Sequence, residues 1–178
     1  MVRPRSIDRE KLLDFAEHIV ARDGAAALSF GALADAASLS KASVQTAFGS
    51  REALIEALLS RSMKREAEHY QTFLGTDVRP ISRLKAHLRA TQTENESAGR
   101  TVSALLAILA STGNASTVMK DWYRVRLNDL EADDLSSRKQ RVAYLAAEGA
   151  FLLRNLVGME IDDDKWASIF RDIESAVD

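Results

Sequence analysis

The stretch from Ser29 to Leu54, SFGALADAASLSKASVQTAFGSREAL, constrains the fold more than any other part of this 178-residue chain. Its apolar spacing predicts two short helices joined by a tight turn, followed by the start of a third. Leu33, Ala34 and Ala37 gather on one face of the first helix, and Val44 and Phe48 on one face of the second. Ser29, Ser40 and Ser50 each stand one residue before a helical pattern, where a hydroxyl accepts a bond from a backbone N–H that has no partner inside the helix. The outward positions of the second helix, Lys41, Ala42, Ser43, Gln45 and Thr46, are small or polar. Two packed helices of this kind form a helix-turn-helix, and the second is shaped to enter a groove.

The flanking residues extend the pattern. Leu12, Ala16 and Val20 repeat at helical spacing over a first helix expected at 7–23, which Gly24 ends with a residue suited to the position after a helix. A long helix should follow from Ser50 to about Phe73, with Leu54, Ile55, Leu58, Leu59, Met63 and Ala67 on one side. Gly75 and Pro80 bracket a break, Pro80 suiting the first turn of the next helix. Further helices are expected at 81–93, 98–111, 116–131, 137–157 and 163–177, with Asn95, Gly113-Asn114, Asp133-Asp134 and Gly158 at the joints. Ser137 with Gln140 makes a capping box, and Asp162 to Asp164 place acids at the start of the last helix. No stretch alternates like a strand, so the fold class is all-α.

The ordered set Leu12, Ala16, Val20, Gly24, Leu33-Ala34, Ser40-Lys41, Phe48 and Ser50-Arg51-Glu52-Ala53-Leu54 resembles the DNA-binding domain of the tetracycline-repressor (TetR) family of bacterial transcriptional regulators. Four positions depart from the family's habit. Ser38 stands at a turn usually given to glycine, Ala42 replaces a frequent glycine, and Gln45 and Ala47 occupy positions usually aromatic or histidine. A non-glycine in a left-handed turn costs roughly 1 kcal/mol, which a fold absorbs. The resemblance implies a helix-turn-helix domain over 1–53 and a helical effector-binding and dimerisation domain over 54–178. It also implies a double-stranded DNA operator, a homodimer and a small-molecule effector as partners.

For DNA, Lys41, Ser43, Gln45 and Thr46 are the expected base or groove-edge contacts, Ala42 and Phe48 completing that helix. Ser29, Ser40, Ser50 and Arg51 are expected to anchor phosphates, helped by Arg3 and Arg5 of a short basic arm. Charge gives only modest support. From Asp129 onward twelve acids face six bases, a net of −6, which leaves +4 over the rest against a total of −2.

The segment 137–157 carries a small-and-apolar stripe of Val142, Ala146, Gly149, Leu153 and Leu156, suited to close packing against a partner helix. The last helix adds Trp166, Ile169, Phe170 and Ile173. Either both helices pack within one protomer, or they pair with their copies in a four-helix interface, as the family resemblance implies.

A cavity is expected among the bulky residues Leu105, Met119, Trp122, Tyr123, Tyr144 and Phe151, with Arg126, Glu148 and Asn155 as polar contacts; the competing reading is that the aromatics are only core. Glu148 lies mid-helix among apolar neighbours, where a buried carboxylate needs a partner or a cationic ligand.

Other classes find no support. With no cysteine there is neither a disulfide framework nor a thiolate metal site. His18, His69 and His87 share no metal-ligand spacing and are expected at surfaces or interfaces. No glycine-rich phosphate loop, G-x-S-x-G or H-E-x-x-H is present, so an enzyme is not expected and no cofactor is implied. No apolar run is long enough for a membrane span, and the expected location is cytoplasmic. The expected function is a dimeric repressor released from its operator by a small molecule, the alternative being an effector-independent DNA-binding or protein-interaction module.

Overall fold

The computed structural model describes residues 8–111, 117–128 and 130–177, apart from the side chains of Thr117 and Val118. The described chain holds nine α-helices and no strand: α1 (Arg9–Asp23), α2 (Phe30–Ala37), α3 (Lys41–Phe48), α4 (Arg51–Leu74), α5 (Pro80–Thr93), α6 (Glu96–Ser111), α7 (Thr117–Asn128), α8 (Leu135–Asn155) and α9 (Asp163–Ser175). A short 3₁₀ turn, Ala25–Ala27, separates α1 from α2.

The helix starts follow from local chemistry. The hydroxyls of Ser29, Ser40 and Ser50 accept from the N–H groups of Ala32, Ser43 and Ala53 at 3.0–3.1 Å, and each such cap stabilises its helix by about 1 kcal/mol. Asp8 and Asp162 do the same with carboxylates for α1 and α9. Ser38 adopts φ 53°, ψ 46°, so the α2–α3 turn is left-handed without a glycine, as expected.

One cap differs from expectation. α8 opens two residues early because the Asp134 carboxylate accepts from both the N–H and the hydroxyl of Ser137. Gln140 donates to Ser136 rather than reaching back to Ser137. An anion at the positive end of a helix outcompetes a neutral hydroxyl.

Packing divides into two layers. The first core runs from Leu12, Ala16, Leu33, Val44 and Phe48 through Leu54, Ile55, Leu58 and Leu59 of α4 to Leu105 and Leu109 of α6 and Met119 of α7. The helix-turn-helix therefore shares its core with the helices behind it, and α6 packs on α1, on the 3₁₀ turn, on α4 and on α8. On the outer side of this join, Arg61 bridges to Glu10, Asp14 and Glu17, and Arg65 to Glu17, fastening α4 along α1. The second core joins α5, α8 and α9 through Leu84, Leu88, Ala143, Tyr144, Ala147, Trp166 and Phe170. Between the two cores α4 lies along α5 and touches α7.

Trp166, Phe170 and Ile173 thus belong to the interior of the protomer, 6 %, 1 % and 9 % exposed, rather than to an outward face. Trp166 is fixed there by its indole N–H, which donates to the Gln92 carbonyl at 2.8 Å, and Arg154 covers its ring. Ile169 is half-buried. Among the described residues no helix is long and apolar enough to cross a membrane.

Candidate functional site

Two surfaces are built from the residues singled out in the sequence. The first is the outer face of α3, where Lys41, Ala42, Gln45 and Thr46 are exposed while Val44 and Phe48 are buried beneath it. Gln45 and Lys41 have no side-chain hydrogen bond to any described residue, so their polar ends are available. Ser43 is tied to Ser40 by a 2.8 Å hydroxyl contact, and the Thr46 hydroxyl donates to the Ala42 carbonyl within its own helix. Phe48 is a core residue, only 6 % exposed, with the Arg9 guanidinium over its ring.

Arg51 also departs from expectation. Its Nε donates to the Leu28 carbonyl at 2.7 Å and its Nη2 to the Ala25 carbonyl at 3.3 Å, so the side chain turns inward and staples the α1–α2 connection to the start of α4. Those carbonyls lie at the first residue of the 3₁₀ turn and just beyond its end; the Ala25 carbonyl also accepts from the Leu28 N–H at 3.3 Å. Arg3 and Arg5 lie outside the described residues.

The second surface is a small cleft of about 40 Å³ between the two cores. The expected residues Met119, Trp122, Tyr123, Glu148 and Phe151 line it, and so do Val102 and Leu106 of α6. Sequence reasoning missed Met63 and Glu66 of α4, His87 and Thr91 of α5, and Glu94 at the end of α5. An adjoining hollow of about 30 Å³ also has His87 in its wall, together with Tyr70, Arg126 and Tyr144. Leu105 is fully buried core, and Asn155 lies elsewhere, its amide 2.9 Å from where a Cβ on Gly99 would stand.

Glu148 finds its partners inside the fold. The Tyr123 hydroxyl donates to its Oε2 at 2.8 Å, and Nε2 of His87 stands 3.0 Å from its Oε1, out of line for a hydrogen bond. His87 is 5 % exposed, stacked at 4.7 Å on Tyr144, and neither ring nitrogen makes a hydrogen bond among the described residues. It is not the surface histidine that spacing suggested. Burial, reinforced by Glu148, pushes both the Tyr123 and Tyr144 hydroxyls far above the ordinary tyrosine range, so both stay protonated.

Charge in the cleft is dominated by carboxyls. Glu66 pairs with Arg126 at 3.4 Å, and the Arg126 guanidinium lies 3.2 Å from the centre of the Trp122 ring and 5.4 Å from that of Tyr70. Burial pushes Glu66 up to about 7; Arg126 opposes the rise, while Glu94 and Glu148 add to it. Glu94 is likewise pushed up to about 7 by burial and by Glu148. Among the described residues no group of three histidines or acids is arranged to hold a metal ion. The cleft is therefore a small acidic recess with aromatic walls.

Residues 12–58 match the family described as bacterial regulatory proteins, tetR family, and residues 82–178 match the tetracyclin repressor-like C-terminal domain. Among solved structures, the fold is similar to that of a transcriptional regulator from Rhodococcus sp. RHA1, at TM-score 0.70 and 16 % identity over 96 % of this chain and 95 % of that one. A TetR-like regulator from the same organism gives 0.65 and 20 %, covering 97 % of each chain. The multidrug binding protein EbrR, complexed with imidazole, gives 0.68 and 16 % over 94 % of this chain and 95 % of that one. No curated protein matches the chain in sequence. With both halves matched in order along one chain, the protein belongs to the TetR family of bacterial transcriptional regulators.

Proposed function

We propose that the chain works as a homodimeric repressor that leaves its operator when a small molecule enters the cleft. The observation that carries this reading is the course of α4. Its first turns, through Leu54, Ile55 and Leu58, are locked in the core of the helix-turn-helix, and further along the same helix Met63 and Glu66 line the cleft. One rigid element touches both sites, so a change in the cleft wall has a mechanical route to α3.

The dimer rests on α8. Val142, Leu145 and Leu153 along it, and Leu156 and Val157 just past its end, are between 45 % and 66 % exposed, and a Cβ added at Gly149 would meet nothing within 4 Å. Such a stripe of large apolar residues around a small one is suited to a two-fold partner helix. With α9 turned inward at Trp166, Phe170 and Ile173, α8 carries most of the proposed interface. A dimer is needed because a single α3 reads few bases, and two copies spaced about 34–36 Å apart, or a multiple of one turn, multiply both affinity and specificity.

On α3, Lys41, Gln45 and Thr46, with Ala42 between them, form the reading face, and Ser29, Ser40 and Ser50 bring helix starts to phosphates. The effector role is supported by the multidrug binding protein EbrR, solved with imidazole and with ethidium on a similar fold. The test is a gel shift on DNA upstream of the coding region with wild type and Gln45→Ala. The reading expects wild type to retard the fragment as a dimer. The variant should lose preference at one base position by about 1–3 kcal/mol while staying folded. A chain that ignores this DNA, or an unchanged base preference in the variant, would remove α3 from the contact surface.

A further inference from the structure

We propose that the cleft is a proton-operated latch: protons on Glu66 and Glu94, beside Glu148, hold α4, α5 and α8 together, and loss of those protons drives the three helices apart. The latch stands on the geometry of the cleft itself; its effect on DNA rests on the repressor reading and on α4 as the coupling element.

Three carboxyls from three helices line one cavity of about 40 Å³: Glu66 of α4, Glu94 at the C-terminal cap of α5 and Glu148 of α8. A space of that size holds about one or two water molecules and no organic guest. Among the described residues its wall contains no lysine or arginine. Arg126 stands outside the wall and pairs with Glu66 at 3.4 Å, whereas Glu148 accepts only from the neutral Tyr123 hydroxyl. Glu94 has neither a hydrogen bond nor an ion pair to a described residue, and the last turn of α5 adds the negative end of a helix dipole beside it. One guanidinium at the edge thus answers three carboxyls. Ionised together in a space too small to hydrate them, they repel one another across the joints between helices.

Burial accordingly pushes Glu66 and Glu94 up to about 7. An opened cleft readmits water and returns both toward the ordinary 4.5, so the closed form binds protons more tightly and rising pH favours the open one. The other groups around the cleft do not reverse this sign. His87 of α5, 3.0 Å from Glu148, gains positive charge only as pH falls, which draws it toward the carboxyls. His69 of α4, 2.9 Å from the hydroxyl of Thr93 next to Glu94, acts in the same direction. Tyr123 and Tyr144 stay protonated. Arg126 keeps its charge throughout and restrains only the share of Glu66. From α6 come the apolar Val102 and Leu106, while Tyr70 and Arg83 stand in the wall of the adjoining hollow.

The test follows tryptophan exposure in the full-length protein without DNA. Acrylamide quenching is measured at pH 6 and pH 8, at one ionic strength, on wild type, Glu94→Gln, Glu66→Gln and the double variant. Trp166 is buried in the second core, so the change is read from Trp122, and Trp122→Phe should remove it. Linkage through one carboxyl shifts the opening equilibrium roughly tenfold between these pH values, and through two up to about a hundredfold. Wild type should be quenched more strongly at pH 8. Each single variant should reduce that rise, Glu94→Gln the more, and the double variant should abolish it. Equal quenching of wild type at both pH values, or a rise that survives in the double variant and so belongs to the histidines, would overturn the proposal. The wild-type measurement stands even if a variant misfolds.

The DNA fragment from upstream of the coding region separates the latch from the repressor reading. Its affinity for wild type should fall from pH 6 to pH 8 more steeply than its affinity for the double variant. If quenching changes as expected while the two affinity profiles run parallel, the latch holds and coupling through α4 fails. If the profiles diverge with no change in quenching, the carboxyls act without opening the cleft and the latch fails. If wild type ignores the fragment, the repressor reading fails and quenching still decides the latch.

Discussion

Nε of Arg51 donates to the carbonyl of Leu28 at 2.7 Å, across 23 positions of sequence, and so makes the first residue of α4 a clamp on the start of the helix-turn-helix. An arginine in this place invites the reading of a phosphate anchor, yet its fork is spent on the carbonyls of Leu28 and Ala25. Arg51→Ala is therefore expected to destabilise the fold by about 1–3 kcal/mol, the scale of hydrogen bonds to a charged donor. The salt dependence of operator binding should stay as it is, because no released counterion is involved. Thermal melts together with gel shifts at several salt concentrations check this. A flattened salt dependence with an unchanged melt would return Arg51 to the DNA surface.

Gly149 sits mid-way along the exposed stripe of α8, with open space where its Cβ would be. Gly149→Arg therefore adds a long cation to the proposed dimer face without disturbing the protomer's own packing. The expected product is a folded monomer with native helicity that binds a full operator far more weakly than wild type. Sedimentation and circular dichroism on the same sample decide the matter. A variant that remains dimeric would move the interface away from α8.

What the sequence disclosed and what it withheld divide along a physical line. The caps at Ser29, Ser40 and Ser50 were legible because their chemistry closes within three residues, whereas the left-handed turn at Ser38 was implied by the family resemblance. The inward turn of Arg51 was not, since its acceptors lie 23 and 26 residues back. Trp166, Phe170 and Ile173 repeat at helical spacing whether they face a partner chain or their own core, and only the fold shows α5 and α8 waiting to cover them. The aromatic half of the cleft was visible in Trp122, Tyr123 and Phe151. Its acidic half was not, because Glu66, His87 and Glu94 come from α4 and α5, which look like ordinary amphipathic helices. One local signal was present: Glu94 stands at a helix end where an acid works against the dipole, just before the Asn95 joint.

The raised carboxyls make stability depend on pH in a definite sense. Glu66 and Glu94 hold their protons up to about 7 in the fold, against an ordinary value of 4.5, so below 7 the folded chain binds more protons than the unfolded one. Their contribution to stability is therefore full below pH 4.5 and lost as pH rises through about 7. Glu94→Gln, which mimics the protonated form, should leave the melting temperature nearly unchanged at pH 5 and raise it at pH 8. A melt of Glu94→Gln that runs parallel to wild type at both pH values would show Glu94 to be an ordinary solvated acid.

Thermodynamic reciprocity gives the sharpest test of α4 as the coupling element. On the proposed reading a ligand in the cleft would touch Met63 and Glu66, and the operator would be held through α3, whose core partners Leu54 and Leu58 lie up to three turns earlier on the same helix. A ligand releases DNA only if it prefers the arrangement of the two α3 helices that misfits the operator, and a coupling of about 1–3 kcal/mol corresponds to roughly 5–150-fold. Operator DNA must then weaken ligand binding by the same factor that ligand weakens operator binding. Trp122→Ala and Glu148→Gln remove, respectively, the stacking surface and the charge held by Tyr123; both should retain operator affinity while losing the response to ligand. The check is a closed cycle of four affinities, ligand with and without operator and operator with and without ligand, measured on wild type and on both variants. If operator affinity falls in the variants before any ligand is added, the cleft is a structural support of the helix-turn-helix. If wild type closes the cycle with a factor of one, α4 carries no signal, and the chain binds DNA without regard to what fills the cleft.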